Sequence, residues 1–247
     1  MRKLLLAVCA AGFCLGAAPV PSDEEAQGVI ERAIKAHGGA DRLSRVRADR
    51  VASKGVLIVN GAETPFTSET TVQLPGQLRN VIHLQGEHKT TFVQVLNGDN
   101  VYFTIDGQPQ KADDQLAAEL RQALLLNQAV RLTPLLTDRA FTLESLGEVK
   151  VGDQPCLGVK ASMKGRPDVR LFFDKETGLL VKTEHALDDG AGKQVLQEEM
   201  YGDFDDVGGV RRPMKVSAYR NGKKVMEAEV TDVKYLDKVD DAEFAKP

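Results

Sequence analysis

The chain has 247 residues, 42% of them hydrophobic and 28% charged, a composition that supports a buried core and excludes a low-hydrophobicity disordered chain or a coiled coil. A formal charge of −4, with both signs mixed and no Lys/Arg block, excludes the basic footprint of a nucleic-acid or anionic-membrane binder. The one long apolar run, at the N-terminus, has about 15 residues against the roughly 20 that cross a bilayer, so no transmembrane segment is expected.

That run has the layout of a secretory signal peptide: Met1-Arg2-Lys3 is positive, Leu4 to Ala18 is apolar, and Gly16, Ala17 and Ala18 are small. The expectation is a signal peptide over residues 1–18, cut between about 17 and 22, and a single exported, soluble domain over 19–247. A lipid anchor is disfavoured because Cys9 and Cys14 follow Val8 and Phe13, where lipoprotein processing requires a small residue. Removing residues 1–18 takes away Arg2 and Lys3 and no acid, which moves the charge from −4 to −6. It leaves Cys156 as the sole cysteine, so packing and not a disulfide must hold the fold.

Ser22-Asp23-Glu24-Glu25 reads as a helix N-cap followed by a capping glutamate. Val29, Ile30, Ala33, Ile34 and Ala36 give the helix an apolar stripe, and His37-Gly38-Gly39 stops it. His37 reads as a helix-terminal residue whose charge suits the dipole. A short helical turn is expected within residues 40–46.

From about Arg47 the period changes from 3.6 to 2. Strands are expected at 51–59, 67–74, 78–85, 90–96 and 101–106, broken by Asn60-Gly61, Pro75-Gly76, Gly86, Asn97-Gly98 and Asp106-Gly107. Residues 112–136 interrupt the pattern with an amphipathic helix capped at Asp113 or Asp114. Leu116, Leu120 and Leu124 share one of its faces, Glu119, Arg121 and Gln122 face away, and Pro134 ends it. The segment holds more leucine than one buried stripe requires. Strands resume at 142–149, 156–163, 169–173, 179–187, 195–204, 213–220 and 225–236. The reading is mainly β with helices: one strongly bent antiparallel sheet of eleven or twelve strands joined mostly by hairpins.

The search for catalytic motifs finds no G-x-S-x-G, S-x-x-K, H-E-x-x-H or glycine-rich dinucleotide fingerprint. Gly190-Ala191-Gly192-Lys193 reads as a hairpin, and Asp203 to Gly208 as a tight turn because Val207 and Met214 stand where calcium ligands are needed. His83 and His88 are two candidate ligands without a third, and His185 lies on an exposed-looking strand. Cys156 reads as a small buried hydrophobe, and Glu198-Glu199 as solvated. No catalytic residue, metal or cofactor is expected.

What remains is apolar surface. The stripes around Val93 and Val95, Met200, and Met226-Ala228-Val230 carry medium-sized hydrophobes with few rings. Each stripe taken singly is ordinary core; together with the leucine-rich cover they can enclose a cavity. The candidate lining is Val93, Val95, Leu116, Leu120, Leu124, Met200 and Met226.

The segment Ala33-Ile34-Lys35-Ala36-His37-Gly38-Gly39, the hairpin from Leu171 to Leu179 around Asp174-Lys175-Glu176-Thr177-Gly178, and the final Asp241-Ala242-Glu243-Phe244 resemble LolA-like proteins, relatives of the periplasmic lipoprotein carrier. The resemblance covers nearly the whole mature chain. It implies an unclosed β-barrel of about eleven antiparallel strands, with helices covering its concave side and a hydrophobic cavity that receives lipid tails. In the carrier a cavity-lining arginine bonds to the helical lid; Arg79 lies on a strand, but its local motif does not match.

The resulting expectation is a monomeric periplasmic binding protein, not an enzyme, whose partners are lipoprotein acyl chains or free lipid and envelope membrane proteins. The alternative is an envelope sensor or interaction module of the same fold without cargo. A hydrolase with an unrecognised site is the third class.

Overall fold

Alternating strands dominate the computed structural model, which describes residues 23–59, 61–86, 89–188 and 192–247. The export segment and its cut, the Ser22 cap, Asn60, His88 and Gly190-Ala191 lie outside the described residues. The helices are α1 (Asp23–Ala36), α2 (Ala40–Leu43), α3 (Asp114–Val130) and α4 (Thr133–Thr137). The strands before α3 are β1 (Ala48–Val59), β2 (Ala62–Gln73), β3 (Gln77–Gln85), β4 (Lys89–Asn97), β5 (Asn100–Ile105) and β6 (Gln108–Gln110). Those after α4 are β7 (Phe141–Val151), β8 (Gln154–Met163), β9 (Val169–Asp174), β10 (Leu180–Asp188), β11 (Gln194–Val207), β12 (Val210–Arg220) and β13 (Lys223–Leu236). A 3₁₀ turn at Asp241–Phe244 follows.

All thirteen strands belong to one sheet, in the order β6-β5-β4-β3-β2-β1-β13-β12-β11-β10-β9-β8-β7, with antiparallel neighbours throughout. The strand absent from the sequence reading is β6, whose three exposed residues Gln108-Pro109-Gln110 carry no apolar alternation. The chain enters at the centre in β1 and meanders outward to β6. It then crosses to the far edge through α3 and α4, and meanders back until β13 closes on β1. The helical segment therefore has to traverse one face of the sheet from edge to edge.

This crossing requires curvature. Helix α3 contacts β3 and β4 on one side and β9 and β10 on the other. In a flat sheet β4 and β9, eight strand spacings apart in that order, would be about 38 Å apart, beyond the about 25 Å that a helix of this length spans. Contact with both means that the sheet curls around the helix, as an open half-barrel. Bulges at Ala52/Ser53, Ser145/Gly147, Leu180/Lys182 and Ala218/Tyr219 add local twist and bend. Gly55 sets the closest seam: a Cβ there would lie 2.0 Å from the Glu227 carbonyl oxygen and 2.8 Å from the Ala228 Cα on β13.

The main core lies between the helices and the curled face. Ala26, Ile30 and Ala33 of α1 and Leu125, Leu126 and Ala129 of α3 pack on β7–β10 through residues such as Val159 and Leu171. Leu120 and Leu124 pack on Val72, Leu78 and Leu96 of β2–β4. The surplus leucine is thereby explained: α3 is buried on two sides because two halves of one sheet close on it. On the opposite face, Phe244 and Val239 cover Ala48 and Val95. At the sheet edges, β6 is short and contains Pro109, while β7 packs against α1 and is broken by its bulge.

Candidate functional site

Between α3 and the centre of the curled face lies a cavity of about 310 Å³. Aliphatic side chains, among them Leu126 and Val130 from α3 and Val51, Val72, Val216 and Val230 from the sheet, make up about half of its lining, and polar and charged groups the rest. Broader grooves elsewhere are lined by residues such as Lys54, Lys215 and Glu229 in one and Asp113, Asp114 and Arg166 in another.

Helix α3 roofs this space and is fastened at three surrounding turns. Arg121 donates to the Asp99 carbonyl at 3.2 Å, Gln122 to that of Pro167 at 3.5 Å, and Gln128 to that of Pro75 at 2.9 Å. Gln122, expected to face away, is instead only 3% exposed, because the helix has sheet on both sides. The Asp113 carboxylate caps the helix by accepting from Leu116 N–H at 2.8 Å.

A buried ionic cluster closes one end of the cavity. The Asp49 carboxylate on β1, 1% exposed, accepts from Arg131 Nη2 at 2.7 Å and from Arg212 Nη1 at 2.8 Å. Arg131 follows α3 directly and also donates from Nη1 to the Asn127 carbonyl at 2.7 Å. Burial acts against the charge on Arg131, while Asp49 opposes that effect. For Arg212, burial pulls the same way, but attraction to Asp49 wins and holds the group above its ordinary value. The lid-to-sheet ion pair is thus carried by Arg131 and Asp49. Arg79 lies on β3 opposite Val95, on the face turned from the helix.

Two acids expected to be solvated differ in their surroundings. Glu198 pairs with Lys182 on the outer face, whereas Glu199 faces the cavity. Burial pushes the Glu199 carboxyl above its usual range, and a 2.7 Å hydrogen bond donated by the Tyr201 hydroxyl offsets only part of this. Thr183 Oγ1 lies 3.0 Å from the same hydroxyl.

His37 is a further correction. It is 6% exposed, its Nδ1 lies 2.8 Å from the Ala33 carbonyl, and Leu180 N–H donates to Nε2 at 3.4 Å. Burial lowers its pKa, so it serves as a neutral core ligand of the backbone and not as a charge on the helix dipole. His185 is likewise buried, at 7% exposure. Cys156 is fully buried beside Phe172 and Val181. Residues 203–207 are strand, and Asp206 caps the turn at Gly209 N–H at 2.7 Å. Among the described residues no group of three or more His, Cys, Asp or Glu side chains is placed to hold a metal, and no helix is long and apolar enough to cross a membrane.

The candidate lining residues do not all meet. Leu116, Leu120 and Leu124 form one row on α3 over Val72 and Leu78, adjoining the cavity that their neighbours Leu126 and Val130 wall. Met226 shares the sheet face of Val230, two strand repeats farther along. Val93 and Val95 lie on the opposite face, packed with Ala48 and Phe244. Met200 alternates with Glu199 and Tyr201, which face the cavity, and so points away from it. Alternation identifies which residues share a face, but not which face the crossing helix covers. Asp49, Arg131 and Arg212 escaped the sequence reading because none belongs to a local motif, and Glu199 is expected there only as a solvated acid.

Several solved structures share this fold. A LolA superfamily protein from Nitrosomonas europaea matches at 15% identity with a TM-score of 0.55, over 90% of this chain and 97% of that one. A DUF1329 family protein from Desulfovibrio piger matches at 11% identity and 0.55, over 89% and 97%. A domain described as outer membrane lipoprotein-sorting, from Vibrio parahaemolyticus, matches at 8% identity and 0.53, over 90% and 97%. No protein-family profile and no curated protein sequence matches the chain.

Proposed function

We propose that this chain, which has the LolA-like open half-barrel fold, is an exported periplasmic binding protein that shields acyl chains of a lipoprotein or lipid beneath α3. The observation that carries the reading is the cavity of about 310 Å³ between α3 and the curled sheet, with its aliphatic stretch of Val51, Val72, Leu126, Val130, Val216 and Val230. A hydrocarbon chain gains roughly 0.8 kcal/mol for each methylene taken out of water, so aliphatic walls supply affinity without a polar anchor. The protein acts as a carrier and not as a catalyst.

Loading requires α3 to move, because the Arg131–Asp49 pair and the Gln128 bond tie it over the cavity. When it lifts, Leu116, Leu120 and Leu124 leave Val72, Leu78 and Leu96 and become acyl-chain surface, with Met226 extending the sheet wall. A ligand favours that open state only as far as it binds it better than the closed one. Release then needs a membrane or an envelope protein that gives the chain an equally apolar home.

The test is lipid extraction of the exported, purified monomer followed by mass spectrometry. Copurifying acyl lipid near one equivalent is expected, and its repeated absence across expression conditions would overturn the reading. The tightly tied helix and small cavity favour a second reading, an envelope interaction module with no cargo, which that absence would support.

A further inference from the structure

The cavity has a charged end as well as an oily wall, and the buried charges there do not balance locally. Two guanidinium groups, Arg131 and Arg212, converge on the single Asp49 carboxylate. Arg131 is 8% exposed, and its Nε has no hydrogen-bond partner. Arg212 keeps 25% of its side-chain surface and forms part of the cavity wall, with Arg211 beside it. The Tyr235 hydroxyl lies at the same end and interacts with Arg212. The other cavity-facing carboxyl, Glu199, is engaged by Tyr201, and its surroundings disfavour its ionised form. Desolvated charge in excess of its partners is costly, and an incoming anion is what relieves a surplus guanidinium.

Leading away from this end, the walls are Val51, Val216 and Val230, with Val130 and Leu126 above. A volume of about 310 Å³ is at the lower limit of the roughly 300–1,000 Å³ of small-ligand pockets, room for one chain and not for two or three. We infer that the site takes a single-chain amphiphile with an anionic head, its carboxylate or phosphate against Arg212 and Arg131 and its hydrocarbon along Val51, Val216 and Val230. This rests on the binding-protein reading above and names the class of ligand. The carboxylate of a free fatty acid and the phosphate of a lysophospholipid present the same chemistry to the two arginines. Arginine's fixed fork of donors suits either one.

The experiment compares three ligands of equal chain length, palmitate, 1-palmitoyl lysophosphatidate and 1-hexadecanol, by titration calorimetry below their micellar concentrations. A charge-assisted hydrogen bond discriminates by about ten- to a hundredfold. At least one anion is therefore expected to bind tenfold or more tighter than the alcohol, and which one does so identifies the source. Arg212→Met is expected to erase that preference. Equal binding of the alcohol and both anions to the unmodified protein would overturn the anionic-head inference and leave the acyl-chain reading standing. Failure of all three to bind would overturn the acyl-chain reading itself. The comparison on the unmodified protein decides the matter even if the variant does not fold.

Discussion

His185 sits on β10 with its Nδ1 buried and unpartnered, opposite Gln197, whose side-chain oxygen accepts from Arg220 at 3.0 Å. Burial, followed by repulsion from Arg220, brings its pKa down to about 4 from 6.5. The unfolded chain therefore binds a proton near pH 6.5 that the folded protein refuses until about pH 4. Stability from this group is present above pH 6.5 and is lost as pH falls toward 4, by roughly 3 kcal/mol at full effect. His37, also lowered by burial, acts in the same direction. Glu199 acts in the opposite one, because a raised carboxyl pKa favours the folded state as protons bind. Urea midpoints at pH 7.5 and 4.5 check this: His185→Gln should lose less stability between the two pH values than the unmodified protein. An identical loss would remove His185 as a source. The burial of His37 and His185 was not legible in the sequence, because a histidine in a strand or after a helix carries no sign of what covers it. The Asp49 cluster was hidden for a related reason: its members come from β1, the end of α3 and β12, and meet only after the sheet has closed.

At the level of elements, local chemistry was far more readable. The stops at Gly38, Pro75-Gly76, Asp174 to Gly178 and Asn221-Gly222 each separate the expected segments, since turn geometry is dictated by the residues within it. Side-chain oxygen atoms fix these turns locally, as where Asp174 accepts from Thr177 N–H and Oγ1. The path of α3 was not readable in the same way, because its amphipathic pattern reports one buried stripe while the crossing buries two. Leu120 tests how firmly the helix is held. It is 3% exposed among Leu78, Leu96 and Val72, so Leu120→Ala should cost about 2–4 kcal/mol through lost burial and the void left behind. Leu116, half-buried at the start of the same row, should cost less than half as much on the same substitution. Chemical denaturation of the two variants measures both, and equal costs would mean that α3 is packed no more deeply at its middle than at its start.

For the whole molecule, the route from one sheet edge to the other is possible only because the sheet curls, and the first and last strands meet at its central seam. β1 and β13 approach so closely at Gly55 that any side-chain carbon would lie 2.0 Å from the Glu227 carbonyl oxygen. The obstructing atoms are backbone, held in register by the pairing of Gly55 with Ala228 and of Val56 with Glu227, so they cannot swing aside as a flexible side chain would. Gly55→Ala should therefore force β1 and β13 apart at the central seam, at a cost of at least about 2 kcal/mol. Gly202 on β11 is the matched control: a Cβ there meets nothing within 4 Å, and the same substitution should be neutral or slightly stabilising by restricting the unfolded chain. The seam also lies along the strands that wall the cavity, through Val51 and Ser53 on β1 and Val230 on β13. A flatter sheet would move these walls away from α3, so Gly55→Ala should weaken hexadecanol binding along with stability, whereas Gly202→Ala should alter neither by more than about twofold. If the two substitutions prove equally mild, curvature at this seam is not what holds the wall against the helix.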